Sequence, residues 1–142
     1  MNTNIDLHQL VECVGDAIIV ADADEKIVLW NPAATRIFGY SEQEALGQSL
    51  DLIVPERQRQ RHSEGYEKSM ETGTTRYGSS LLKVPALHKD GGTLSIAFSV
   101  GMLFDENHRA SGVVAIIRDE TERFAEERAL KKRISDLENP PQ

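Results

Sequence analysis

The chain has 142 residues, with 16 Lys and Arg against 23 Asp and Glu and a formal charge of -7. That length suits one domain with a core of its own, and the acidic balance argues against a nucleic-acid partner, which would need a dominant basic face. The single cysteine, Cys13, excludes an internal disulfide and a thiolate-rich metal site, and apolar runs as short as VVAII at 113–117 exclude a membrane span. The polar start MNTNIDLHQ is not a signal peptide, so the expected location is the cytoplasm.

In chain order, Ile5, Leu7, Leu10, Val11 and Val14 recur at helical intervals until Gly15 and Asp16 stop them, which predicts a short amphipathic helix. AIIVADADEKIVLW then gives two apolar runs joined by the acidic stretch Asp22–Lys26, the pattern of a strand, tight turn and strand. Trp30 at its end reads as core or interface rather than a cofactor platform. Asn31 and Pro32 start a short helix that Gly39 ends. Ser41 and Glu44 form a capping-box pair for a second one, with Gly47 as its stop. Pro55 opens a longer helix to Thr72, ended by Gly73. His62, Tyr66, Ser69 and Met70 share one of its faces, and Glu64 stands four residues before Lys68 for an ion pair on the other. The RQRQRH run at 57–62 reads as a solvated face.

After Gly73 the period becomes two. Leu94, Ile96, Phe98, Val100 and Met102 alternate with Thr93, Ser95, Ala97 and Ser99, predicting a strand with one buried face. KDGG at 89–92 and DENHR at 105–109 supply turns, so three strands form an antiparallel meander, and Pro85 makes the first of them irregular or an edge strand near that point. The tail DETERFAEERALKKRISDLE is helical, and its narrow seam of Leu130, Ile134 and Leu137 predicts packing against either the same helix of a second subunit or the domain's own sheet, with a homodimer expected. No GxxxxGK[ST] loop, GxSxG elbow or HExxH helix occurs, and His8, His88 and His108 belong to no constellation, so no enzymatic activity is expected.

The stretches DAIIVADADEKIVLWNPAATRIFGYSEQEALGQSL, HKDGGTLSIAFSV and GVVAIIRDETER together resemble the PAS domain across residues 10–123. The matching residues include Asn31 and Pro32, Phe38 with Gly39 and Tyr40, the Asp90–Gly91 turn, and Asp119 with Thr121, similar to the family's Asp-x-Thr link. Glu120 departs from it at a position that is usually apolar. The resemblance implies an α+β PAS fold: an antiparallel sheet of five strands with helices over one face, a cap helix at 1–15, a core at 16–120, a signalling helix at 121–138 and a tail at 139–142. It also implies a non-enzymatic sensory module that binds a small ligand or cofactor in an internal cavity. Such a module signals through its last helix in a dimer to an output partner, as in two-component and transcriptional regulators.

The haem-binding members carry a proximal histidine on the long helix, in a segment similar to Arg61–His62. The resemblance therefore implies His62 as an axial ligand of haem b in one reading, with Tyr66, Met70, Ile96, Phe98, Val100 and Ala115 lining the cofactor. Leu82 stands where the oxygen sensors carry a distal arginine, which leaves bound oxygen without a donor. The same RH pair occurs in PAS domains without haem, where His62 is structural. Flavin is disfavoured, since the segment GQSLDLIVP has no cysteine. Three readings stand open: a small-ligand sensor of unspecified cofactor, a haem-binding gas or redox sensor, and a ligand-free dimerisation module.

Overall fold

A computed structural model describes residues 4–75 and 80–139. The first three residues of the expected cap segment, residues 140–142 of the tail and residues 76–79 lie outside them. Helix α1 (Leu7–Cys13) begins at Asp6, whose carboxylate accepts from Gln9 N. Strands β1 (Ala17–Asp22) and β2 (Ile27–Trp30) form the expected hairpin. Helix α2 (Pro32–Phe38) is capped by Asn31 and closed by Gly39 at φ 88°, a left-handed conformation that glycine adopts without penalty. Helix α3 (Glu42–Ala45) carries both halves of the Ser41–Glu44 capping box. Two 3-10 turns at 50–53 and 56–58 lead into α4 (Arg59–Thr72), which Gly73 ends. Glu64 accepts from Gln60 Nε2 at 3.2 Å, a different partner from the Lys68 its spacing suggests.

Strands β3 (Leu82–Leu87), β4 (Thr93–Phe104) and β5 (Ala110–Asp119) form the meander, and α5 (Thr121–Glu138) leaves from its end. The five strands make one antiparallel sheet in the order β2-β1-β5-β4-β3. The last strand therefore lies in the middle, between the first hairpin and the rest of the meander. Pro85 falls on edge strand β3, opposite Ser95, where its missing N–H costs least.

The register places Ala17, Ile117, Phe98 and Leu82 in a row across four strands, followed on the same face by Ile19, Ala115 and Val100. This is the core face. Its buried residues join Ile27, Trp30, Ala34, Phe38, Ala45 and Ile53, so α2, α3 and the 3-10 turn at 50–53 share one cluster with the sheet. Trp30, Phe38, Ile19 and Ile27 are almost wholly buried, and each contributes about 1.5–3 kcal/mol from the water it leaves. Trp30 packs on Phe38 at 5.8 Å between ring centroids, and its indole N–H donates to Thr35 Oγ1 and the Tyr40 carbonyl, both at 3.1 Å.

Asn31 is the buried polar hub of the domain. Its Oδ1 accepts from Ile18 N at 2.9 Å and Ala34 N at 3.1 Å, while its Nδ2 donates to the carbonyls of Val11 and Asp16 at 2.9 and 3.1 Å. One amide thereby joins α1, the start of β1 and the start of α2. A second tie runs from the β3–β4 turn to the helices: Lys89 N donates to the Phe38 carbonyl, and Lys89 Nζ meets Glu44 at 2.6 Å.

Candidate functional site

The site grows from the β1–β2 turn. Asp22 Oδ1 accepts from Asp24 N and Lys26 N, which tightens the turn and leaves Glu25 at φ 66°, in the left-handed region. A non-glycine residue there costs about 1–2 kcal/mol. Glu25 is held nonetheless, because its N–H donates to the Asp22 carbonyl and its own carbonyl accepts from Leu50 N. The side chain is thus aimed across at α4, where Glu25 Oε1 lies 2.8 Å from His62 Nδ1 and accepts from Ser63 Oγ at 3.4 Å. One helical turn on, the Tyr66 hydroxyl donates to the Asp22 carbonyl at 2.6 Å. Burial, and the charges of Glu25 and Asp22 beside it, raise the Tyr66 phenol well above its ordinary pKa. Helix α4 is therefore pinned to the turn by two polar ties one turn apart.

Beyond these ties opens a groove of about 890 Å³, bounded by the β1–β2 turn, the second half of α4 and the β4–β5 hairpin. Tyr66, Met70 and Phe104 give it apolar surface, while Asp24, Glu25, Glu67, Glu71 and Arg109 add charge to its lining and His108 an imidazole. Asp51 approaches from the 3-10 turn at 50–53, and one ligand atom from each of Glu25, Asp51 and His62 lies within 4.8 Å of the other two.

Of the residues expected around a cofactor, Tyr66 and Met70 line this groove, while His62, Leu82, Ile96, Phe98, Val100 and Ala115 do not. The last five share the core face of the sheet, with Leu82 paired to Phe98 and Val100 to Ala115. Phe104, His108 and Arg109 line the groove without having been expected there. The DENHR turn marks a hairpin tip, and nothing local says that the tip curls back toward α4. Glu25 and Asp51 were likewise missed, since each reads alone as a solvated turn carboxylate.

The imidazole of His62 has Nδ1 against a carboxylate, an arrangement that orients a metal-ligating histidine. A haem also needs apolar surface on both porphyrin faces. One ligand atom of His62 lies within 4.8 Å of one from each of Glu25 and Asp51, and the side chain of Leu82 has no polar group to donate to a bound gas.

Residues 5–119 match the family described as the PAS fold. The chain belongs to the PAS family. This PAS domain is 33% identical over 121 residues to an uncharacterised protein of Azorhizobium caulinodans, covering 82% of this chain and 16% of that protein. It is 29% identical over 131 residues to the sensor protein FixL of Bradyrhizobium diazoefficiens, covering 92% of this chain and 26% of FixL. The chain thus spans a small part of the curated relatives it matches. Among solved structures, the PAS domain of a Colwellia psychrerythraea protein superposes with a TM-score of 0.71 at 26% identity, covering 82% of this chain and 95% of that one. The chain is a single PAS domain, a typically sensory type of module, related to proteins of signal transduction.

The junction between β5 and α5 is held by a set of short hydrogen bonds. Asp119 accepts from both the N–H and the hydroxyl of Thr121, Thr121 Oγ1 accepts from Ser95 N at 3.0 Å, and Glu120 N donates to the Ser95 carbonyl at 2.8 Å. Glu120 joins this lock through its backbone, so its side chain is free to be polar. No helix among the described residues is long and apolar enough to cross a membrane.

Proposed function

We propose that this PAS domain senses a small ligand in the groove beside α4 and passes the change through β5 to α5 in a homodimer. The observation that carries the reading is the path from groove to exit helix. Helix α4 packs on β5, β5 occupies the centre of the sheet, and its last residue is locked to α5 through Asp119, Thr121 and Ser95. A ligand that favoured one setting of α4 would bias that path by its differential affinity for the two settings.

The exit helix is built for a partner. Phe124, Leu130, Ile134 and Leu137 are all exposed on α5, at 48–76%. An apolar seam so narrow gains stability against a second copy of itself. An output protein of the two-component or transcriptional kind would receive the signal at this helix, and the cytoplasm is the compartment that suits such a partner.

Filling the groove with a side chain imitates occupancy. In a Cys13→Ser background with a spin label at Ser135→Cys, the label-to-label distance across the dimer is expected to shift when Met70→Trp is added. A dimer whose α5 distance is unchanged by Met70→Trp would instead favour a ligand-free assembly module. The absence of any label-to-label distance would overturn the dimer relay.

A further inference from the structure

We infer that Glu25, Asp51 and His62 form a binding site for one divalent first-row transition-metal ion of the Zn2+ or Ni2+ class. The three residues come from three elements, the β1–β2 turn, the 3-10 turn at 50–53 and α4, and offer ligand atoms within 4.8 Å of one another. The inference concerns this cluster and does not depend on what occupies the groove.

A second observation is independent of that spacing. Asp51 Oδ1 is shut off from solvent and has no hydrogen-bond partner. An anionic oxygen in that condition is costly, and a bound cation is the partner that removes the cost. Glu25, for its part, sits in a left-handed conformation with both backbone groups engaged, and this directs its carboxylate at His62.

The donor set selects the ion. One imidazole nitrogen and two carboxylate oxygens suit Zn2+, Ni2+ or Co2+, whereas Ca2+ and Mg2+ prefer sites made of oxygen alone. Donors bonded to one ion at about 2.0–2.2 Å stand roughly 3–3.5 Å apart, so ion binding rearranges the cluster by side-chain rotation, drawing in its wider pairs and replacing the 2.8 Å contact between His62 and Glu25. Three protein ligands leave a coordination position open. Glu25 also lines the groove, so the ion sits at its wall. The exposed His8–Glu12 pair on α1, at 3.6 Å, offers two donors in the same chemistry and serves as the control.

The test is calorimetric titration of the untagged chain, stripped with chelator, with ZnCl2 and separately with NiCl2. One ion per chain is expected, with at least about tenfold weaker binding in His62→Ala and in Asp51→Asn and no change in His8→Ala. Absence of a saturable one-to-one event, or wild-type affinity in both site variants, overturns the site and leaves His62 as the hydrogen-bond partner of Glu25. If the variants fail to fold, Co2+ is added to 15N-labelled wild type. Paramagnetic effects centred on residues 25, 51 and 62 support the site, and effects centred elsewhere, or none, overturn it.

Discussion

His62 and Glu25 lie 37 positions apart in sequence and meet at 2.8 Å, joining the middle of α4 to a turn whose backbone is held in the left-handed region. The contact ties the β1–β2 turn to α4 and places a histidine and two carboxylates together, of which Glu25 lines the groove.

The conformation of Glu25 is separable from its side chain. Glu25→Ala keeps the left-handed strain and loses the contact with His62, whereas Glu25→Gly loses the same contact and relieves the strain. The glycine variant is expected to be more stable than the alanine variant by about 1 kcal/mol in urea unfolding. Equal stabilities would show that the turn relaxes once the side chain is gone.

Tyr66→Phe removes a buried hydroxyl from the Asp22 carbonyl and is expected to cost about 1–2 kcal/mol at neutral pH. The raised phenol adds a pH signature. Its ordinary value is 10.0, so the unfolded chain releases this proton first. The contribution is therefore fully present below pH 10 and is lost as pH rises toward the folded value, at up to about 1.4 kcal/mol per pH unit. The stability gap between wild type and Tyr66→Phe should narrow in unfolding series above pH 10. A gap that stays constant there would contradict the assignment.

Asn31→Ala removes four hydrogen bonds from a residue 1% exposed and strands groups on α1, β1 and α2. The expected loss is at least about 3 kcal/mol, well beyond that of an ordinary helix cap. Asn31→Asp keeps the acceptor but turns an anionic oxygen on the Val11 and Asp16 carbonyls, so it should also destabilise. A chemical-denaturation cost below about 1 kcal/mol for Asn31→Ala would refute the hub role.

Replacing Leu130, Ile134 and Leu137 together by Ala keeps helix propensity high while stripping the seam of α5. Self-association should weaken in sedimentation-velocity runs, with helical content by circular dichroism little changed. An unchanged sedimenting mass would remove α5 from the dimer interface.

The sequence by itself determined what neighbouring residues decide among themselves. Pro32 after Asn31, the Ser41–Glu44 box, Gly39 and Gly73 in left-handed conformations, and the alternation from Thr93 to Met102 all act within a few residues, so each element was legible with its approximate ends. Pro85 narrowed its strand to an irregular or an edge position, because a missing N–H is a local fact with a tertiary consequence, and the structure puts it at the edge. The long helix and its inward face, including Tyr66 and Met70, were legible for the same reason. Only the tertiary structure decided that β5 lies between β1 and β4, that the β4–β5 hairpin brings Phe104 and Arg109 to the groove, and that Glu25 and Asp51 converge on His62. The order of the strands is fixed by burying one continuous apolar face, a property of the sum of the strands. The meeting of three polar side chains depends on where that packing leaves their backbones, and no spacing along the chain records it.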